Sequence, residues 1–169
     1  MRGDMRLSGE SYAMGKVLEM LTINLAVNDL DQAVERYRKL GLTKYPPVHV
    51  PEPPTQLTDV SMPTGDSGWL SLIAPTEPDS PVGRYLDKRG QGIYSIVLRV
   101  DNLREIMEEW RQAGAEWLLE EPYEFPPGTP CTNLLPDKLI GNWLRPSSMH
   151  GVLLETLELQ GEIRTLEPE

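Results

Sequence analysis

The sequence predicts an α+β protein built from two βαβββ modules. Residues 21–42 and 94–115 repeat one pattern at a constant offset of 73 positions, so that Thr22 corresponds to Ser95. Each copy begins with apolar residues at alternate positions, as in a half-buried strand, and continues with apolar residues at helical spacing. Two copies of one strand–helix unit in a single chain indicate an internal duplication.

Length and charge limit the classes of protein that fit. A chain of 169 residues suits one compact domain, in which two halves share a core. A net charge of -10 argues against binding to nucleic acid or to an anionic membrane. Without a long apolar run or a signal peptide, and with Cys131 as the single cysteine, the chain is expected to be cytoplasmic.

The first half reads as βαβββ. Residues 1–15 are polar and aperiodic, and we interpret them as a flexible extension, with an arm exchanged between the subunits of a dimer as the alternative. After the first strand, Asp29 and Gly41 bracket a helix as N-cap and terminator. A short strand near residue 48, a proline-rich turn, and two strands over 56–62 and 69–74 complete the module. The helix shows an apolar stripe at Leu30, Ala33, Val34, Tyr37 and Leu40.

The second half repeats this order after a connecting helix over about 80–90, which Ser80 can cap and Gly90 can end. The repeated strand and helix, with Asn102 as N-cap, are followed by a predicted strand over 116–122. The proline-rich stretch 122–141 is read as a loop, either a functional lid or a disordered insertion. Two further predicted strands occupy 142–146 and 151–159. The predicted organisation is therefore a single domain over 16–159, with modules at about 18–75 and 92–159 and a tail at 160–169.

Three segments carry a resemblance to a known family: LAVNDLDQAVERYRKLGL, SPVGRYLDKRGQGIYSIVLRVDNL and NWLRPSSMHGVLLETLE. Over residues 18–159 the chain resembles the vicinal oxygen chelate superfamily, which includes glyoxalase I, extradiol dioxygenases and bleomycin-resistance proteins. Its likeness is greatest to the methylmalonyl-CoA epimerase branch. The resemblance implies a curved eight-stranded sheet around a central cup, with the helices outside.

The resemblance also locates four metal-ligand positions, which in this sequence are Thr22, Ser71, Ser95 and Glu155. Three of them carry hydroxyls, which are weak donors without negative charge. The two histidines, His49 and His150, occupy none of the four positions. We therefore predict neither a metal nor another cofactor.

Two carboxylates remain as candidate catalytic residues. Asp59 falls where the epimerase-like proteins place a carboxylate base, and Glu155 lies on the predicted last strand. When two carboxylates face each other across a half-buried cup, burial and mutual repulsion raise the pKa of at least one of them. A carboxyl group with a raised pKa suits proton transfer. The alternative for Asp59 is a polar residue on the wet face of an edge strand. For Glu155 that alternative fits less well, because a central-strand carboxylate needs a partner or a function.

Other polar and aromatic residues are candidates for binding the substrate. The hydroxyls of Thr22, Ser71 and Ser95 would either donate to a substrate carbonyl or bond one another as a relic of a metal site. Asn24 shares the strand face of Thr22. Trp143 follows the proline-rich loop and would shape the pocket, although aromatic residues more often serve core packing.

Three functions are compatible with these residues. The first is a metal-independent enzyme that moves a proton next to a carbonyl in an epimerisation, isomerisation or cyclisation. The second is a protein that binds or sequesters a small molecule without a metal, as antibiotic-resistance members do. The third is a metal-dependent acyl-CoA epimerase. In each case the expected partner is a small molecule, and the open sheet edges favour a homodimer.

Overall fold

A computed structural model describes residues 15–169. All but the last residue of the predicted flexible extension, 1–15, lies outside the described part. The strands are β1 (Lys16–Ala26), β2 (Val48–Val50), β3 (Leu57–Pro63), β4 (Trp69–Pro75), β5 (Gly92–Asp101), β6 (Tyr123–Glu124), β7 (Leu134–Leu144) and β8 (Leu154–Thr165). The helices are α1 (Leu30–Lys39), α2 (Pro81–Arg89) and α3 (Leu103–Gln112), and a short 3-10 turn spans Pro146–Ser148.

The eight strands form one sheet in the order β2-β3-β4-β1-β5-β8-β7-β6, which reads as one module followed by its symmetric copy. The first strands of the two modules meet as an antiparallel pair, in which Asn24 faces Ser95 and Thr22 faces Val97. These two pairs exchange under the 73-position offset, so a pseudo-twofold axis passes between them. The predicted curved sheet of paired βαβββ modules is confirmed.

Two helices cover the outer face of the sheet because their apolar stripes match outward-facing strand residues. The α1 stripe packs on Val27, Val60 and Leu72. In the second module, Leu103 and Ile106 of α3 are buried against β5, β7 and the segment after α3. The alternate side chains of the same strands point into the cup, since neighbouring strand residues face opposite sides.

The helix caps were predicted in part correctly. Asp29 accepts a hydrogen bond from the Gln32 amide, and Ser80 accepts one from the Gly83 amide. Asn102 was expected to cap α3, but it adopts a left-handed conformation without a side-chain cap bond. The Glu158 carboxylate of β8 accepts from the Leu103 amide instead, at 2.7 Å. A long-range contact thus replaces the local cap.

The segment between α3 and β7 differs from the prediction. Residues 116–122 were expected to form a strand, yet in this stretch only Trp117 makes a bridge, with Leu144. The Asn142 side chain holds the stretch by accepting from the Leu119 amide and donating to the Leu119 carbonyl. Backbone bonds from the Leu118 amide to the Trp143 carbonyl and from the Arg145 amide to the Glu116 carbonyl pair the start of the stretch with β7, and the Asn142 side chain continues this pairing at Leu119.

The loop within the proline-rich stretch 122–141 is also shorter than expected. The first part of the stretch contains β6, and residues from Leu134 onward belong to β7. Pro136 is accommodated because the register with β8 shifts between Pro136 and Lys138, and proline is tolerated at such irregularities. The irregular part is confined to residues 125–133.

The chain end is attached rather than free. The last strand continues to Thr165, so the stretch assigned to a tail at 160–169 begins inside β8. The Leu166 amide then donates to the Asn133 carbonyl, and the Glu169 amide donates to the Lys44 carbonyl of the first module. No helix among residues 15–169 is long and apolar enough to cross a membrane. The homodimer stays a prediction.

Candidate active site

A small cavity lies inside the cup, between the two modules. Its volume is about 70 Å³, and both candidate carboxylates line it. Asp59 is on β3 and Glu155 is on β8, with β4, β1 and β5 between these strands in the sheet. Curvature of the sheet brings the two carboxylates to one cavity. The other predicted site residues that line it are Thr22, Asn24 and Ser71.

A chain of hydroxyls leads to Asp59. The Thr22 hydroxyl lies 3.2 Å from Ser71 Oγ, Ser71 Oγ lies 3.0 Å from Ser61 Oγ, and the Ser61 hydroxyl donates to Asp59 Oδ1 at 3.3 Å. Register explains the arrangement, because Ser61 pairs directly with Ser71 across β3 and β4. The three hydroxyls are buried and bond to one another, so in this structure they support Asp59.

Burial raises the pKa of Asp59 from its ordinary 3.8 to about 6. Loss of hydration is the largest cause, since water stabilises the charged form. Hydrogen bonds from Ser71 and Ser61 act in the opposite direction, because they stabilise the carboxylate. Asp59 is only half-buried, and its exposed part faces the cavity that it lines. The carboxyl group therefore titrates close to neutral pH.

The pKa of Glu155 is raised further than that of Asp59. Desolvation, followed by the charge of Asp59, raises the pKa of Glu155 from 4.5 to about 7, and hydrogen bonding by the Trp143 side chain opposes the shift. Trp143 is the direct partner of Glu155 across β7 and β8. Because the negative charge of Asp59 is one cause, the two groups titrate as an interacting pair. The pair therefore binds and releases its protons in coupled steps, at a higher pH than isolated carboxyl groups do.

Asn24 stands between the inner cavity and a larger outer pocket. The outer pocket has a volume of about 540 Å³ and shares Asn24, Leu57 and Glu155 with the inner cavity. The Asn24 side-chain amide donates to Ser95 Oγ at 2.9 Å, whereas its Oδ1 has no hydrogen-bond partner within the described residues. Trp143 lines this outer pocket. A ligand entering from outside would meet these groups first.

The loop over 125–133 closes one side of the cup. Phe125 and Cys131 are buried among Val50, Val97 and Leu157 of the concave core. Burial, with added repulsion from Glu155 and Asp59, raises the pKa of the Cys131 thiol, which keeps the thiol neutral. The loop thus belongs to the wall of the inner cavity. Its packing explains why so little space remains inside the cup.

The donor set does not fit a catalytic metal. At the four positions implied by the resemblance, the Ser95 hydroxyl is held by Asn24, and the Thr22 and Ser71 hydroxyls are bonded to each other. Glu155 is the only carboxylate among the four. No group of three or more His, Cys, Asp or Glu side chains within residues 15–169 has the arrangement of a metal site. One carboxylate with three engaged hydroxyls is a poor donor set for a divalent ion.

The structure brings together five of the seven predicted site residues on the inner cavity, whereas Trp143 lines only the outer pocket and Ser95 lies apart. Ser95 contributes to a neighbouring groove beside α2 and reaches the cavity only through Asn24. Sequence reasoning missed Ser61, although its position two residues after Asp59 places it on the same strand face. It also missed the contribution of Cys131 and Thr132 to the cavity wall, for which the sequence offers no periodic signal. The assignment of individual roles stays a prediction.

Two βαβββ modules that form a cup around buried polar residues define a class of paired-module proteins with a central small-molecule site. Within that class, the chain belongs to the glyoxalase/bleomycin resistance protein/dioxygenase superfamily, whose family model matches residues 22–131. No curated relative matches the chain.

Solved structures share the fold over most of their length. Methylmalonyl-CoA epimerase from Mycobacterium tuberculosis is 24% identical, with a TM-score of 0.73 over 86% of this chain and 90% of the other. A Streptomyces coelicolor methylmalonyl-CoA epimerase in complex with 2-nitronate-propionyl-CoA gives 24% identity and a TM-score of 0.73, over 86% and 100%. A hypothetical protein from Bacillus halodurans gives 23% and 0.71, over 87% and 98%. At these identities the likeness establishes the fold.

Proposed function

We propose that this protein catalyses metal-independent proton transfer at a carbon next to a carbonyl group, as in an epimerisation, isomerisation or cyclisation. The observation that carries the proposal is the presence of two carboxyl groups, Asp59 and Glu155, on one small cavity with pKa values raised to about 6 and about 7. Groups that act as acid and base at neutral pH need pKa values in this range.

The two shifts give the pair complementary charge states. Between about pH 6 and 7, Asp59 is mostly ionised and Glu155 is mostly protonated. A base and an acid are then present at once, although both side chains are carboxyl groups. The hydroxyls of Ser61 and Ser71 favour the ionised form of Asp59, which assigns it the role of base.

In the proposed step, the Asp59 carboxylate takes the proton from the carbon next to the carbonyl. Glu155 gives its proton to the resulting enolate, at the opposite face of the same carbon for epimerisation or at another atom for isomerisation. Asp59 ends protonated and Glu155 ends ionised, so atoms and charge balance. Proton exchange with water restores the starting state.

The carbonyl substrate needs a C–H bond that is already acidic, because no metal ion polarises the carbonyl in this mechanism. Thioesters and ketones with an electron-withdrawing neighbour meet this requirement. Coenzyme A thioesters belong in the substrate panel, since the groove next to the outer pocket carries Arg84, Lys88 and Arg89, whose charges suit phosphate groups.

The test is exchange of the carbon-bound hydrogen in heavy water, followed by proton NMR. Hydroxyacetone, aminoacetone, acetoacetate and propionyl-CoA would be incubated with the wild-type protein and with Asp59→Asn and Glu155→Gln variants. We expect faster exchange for at least one compound, and a loss of about 100-fold or more in each variant. Asp66→Asn and Glu35→Gln are matched controls, because both residues are exposed.

Binding without catalysis is the second function to separate. It is favoured by the observation that the hydroxyls of Thr22, Ser61 and Ser71 are bonded within the protein and are not poised toward a ligand. A compound that binds wild-type and both variants equally, with no exchange in any of them, would contradict the catalytic proposal and support sequestration.

A further inference from the structure

The chemistry of the inner cavity favours one charge type of ligand. Asp59 and Glu155 line it, and the residues of 15–169 that form its wall include no Lys, Arg or His. A carboxylate seated in the inner cavity would therefore face two carboxyl groups and no cation of the cavity wall, since Arg84 lines the outer pocket instead. Like charges in a poorly hydrated site repel strongly. The wall selects against an anionic head group.

Asn24 adds an independent indication. Its side chain is 7% exposed and lines both the inner cavity and the outer pocket. The amide nitrogen is held by Ser95, whereas Oδ1 has no partner in the described part of the chain. A buried acceptor without a donor is unfavourable, and a ligand that supplies a donor removes the penalty. The side chain is thus prepared to accept a hydrogen bond from a bound molecule.

We propose that the inner cavity binds the protonated amino group of a small amino-carbonyl substrate. The inference rests on the proposed function, because it names the substrate class for the same cavity. An ammonium group has three donors and no acceptor, which suits the oxygens of Asp59, Glu155 and Asn24. The volume of about 70 Å³ accommodates a head group of only a few non-hydrogen atoms.

The proposed head group also answers a chemical need of the metal-free mechanism. An ammonium group on the carbon next to a carbonyl withdraws electrons through its bonds and acidifies the C–H bond there. Its positive charge further stabilises the enolate that forms when that proton leaves. The substrate would then carry the electrostatic assistance that a metal ion gives in a metal-dependent site.

Binding of three compounds of similar size tests the inference. Aminoacetone, hydroxyacetone and acetoacetate present a cation, a neutral donor and an anion, respectively, at about pH 6.5, where an amino group of this kind is protonated. Titration calorimetry and NMR shift changes would give their affinities. We expect aminoacetone to bind at least about tenfold more tightly than hydroxyacetone, and acetoacetate to show no saturable binding.

Variants show whether the cavity is responsible. Asp59→Asn and Asn24→Leu are each expected to weaken aminoacetone binding on the order of tenfold, because Asp59 supplies the negative charge and Asn24 the free acceptor at this pH, while the exposed control Asp66→Asn leaves it unchanged. Acetoacetate binding as tight as that of aminoacetone would overturn the inference. So would the absence of saturable aminoacetone binding, or equal losses in the cavity variants and the exposed control.

The result is distinguishable from failure of the proposed function. If aminoacetone binds as expected but its hydrogen exchange is not accelerated, the head-group assignment stands and proton transfer fails. If exchange of hydroxyacetone or a thioester is accelerated while aminoacetone has no advantage in binding, proton transfer stands and the head-group assignment fails.

Discussion

Replacing Asp59 with Asn, or Glu155 with Gln, is expected to stabilise the folded protein at neutral and alkaline pH. Folding raises the pKa of Asp59 from 3.8 to about 6 and that of Glu155 from 4.5 to about 7. Between about pH 4 and pH 7 the folded state therefore holds more protons than the unfolded state, and the free energy of unfolding falls as the pH rises. The Asn and Gln variants have no ionisable group at these positions, so their free energy of unfolding does not fall in this way as the pH rises.

The shifts set the size of the effect. Each pKa unit corresponds to about 1.4 kcal/mol, so these shifts give an upper value of about 3 kcal/mol for each carboxyl group above pH 7. Both groups are only half-buried, and screening by solvent reduces the expected gain to about 2 kcal/mol each. The double variant should gain less than the sum, because the repulsion between the two charges contributes to both single gains.

Urea denaturation at about pH 4 and about pH 8 measures this directly, with Asp66→Asn and Glu35→Gln as charge-matched exposed controls. The cavity variants should differ little from wild type at the lower pH and exceed it at the higher pH. A variant that unfolds more easily than wild type at both values would refute the reasoning. It would show that the ionised carboxylates stabilise the fold through contacts that outweigh their desolvation.

Four further outcomes follow from the site. The rate of proton transfer should rise with an apparent pKa near 6 and fall near 7, giving a narrow bell-shaped pH profile. Ser61→Ala should move the acidic limb to higher pH, because the Ser61 hydroxyl lowers the pKa of Asp59. A strong chelator should change neither the melting temperature nor the exchange rate, since the donor set does not suit a metal. Iodoacetamide should alkylate Cys131 far more slowly than a free thiol, and the rate should follow unfolding.

Each outcome has a contradicting result. A flat pH profile, or an unchanged acidic limb in Ser61→Ala, would show that Asp59 does not act as the base in the reaction. Loss of exchange on chelation, restored by one added divalent ion, would reinstate a metal mechanism. Rapid alkylation of Cys131 in the native protein would show that the loop over 125–133 is not packed against the cup.

The duplication made much of the architecture predictable. Alternating apolar residues in β1 and β5, and the helical stripes that follow them, depend on local periodicity and on burial of one face. Local rules failed where a distant side chain completes the structure. Asn142 extends the short pairing of residues 116–122 with β7 as far as Leu119, and Glu158 replaces the expected cap of α3. Neither of these long-range contacts gives rise to a periodic pattern in the sequence.

The candidate site was predictable only to the level of strand faces. Asp59, Glu155 and Thr22 were assigned from the base and metal-ligand positions that the family resemblance implies, and the structure places all three on one cavity. The pairing of Asn24 with Ser95 depends on the register between β1 and β5, which sequence alone does not provide. The position of the loop over 125–133, which includes Cys131, depends on long-range packing and could not be predicted from the sequence for the same reason.

The two modules use equivalent positions in different ways, and this difference gives the pair its chemistry. In the first module, the Ser61 and Ser71 hydroxyls stabilise the charged form of Asp59, and the Thr22 hydroxyl donates to Ser71. In the second module, the Ser95 hydroxyl accepts a hydrogen bond from the Asn24 amide. The pKa of Glu155 is affected both by Trp143 and by the charge of Asp59. One carboxyl group is therefore favoured as the base and the other as the acid. In the proposed mechanism, a symmetric frame whose equivalent positions make different contacts would thus provide an acid and a base without two different residue types.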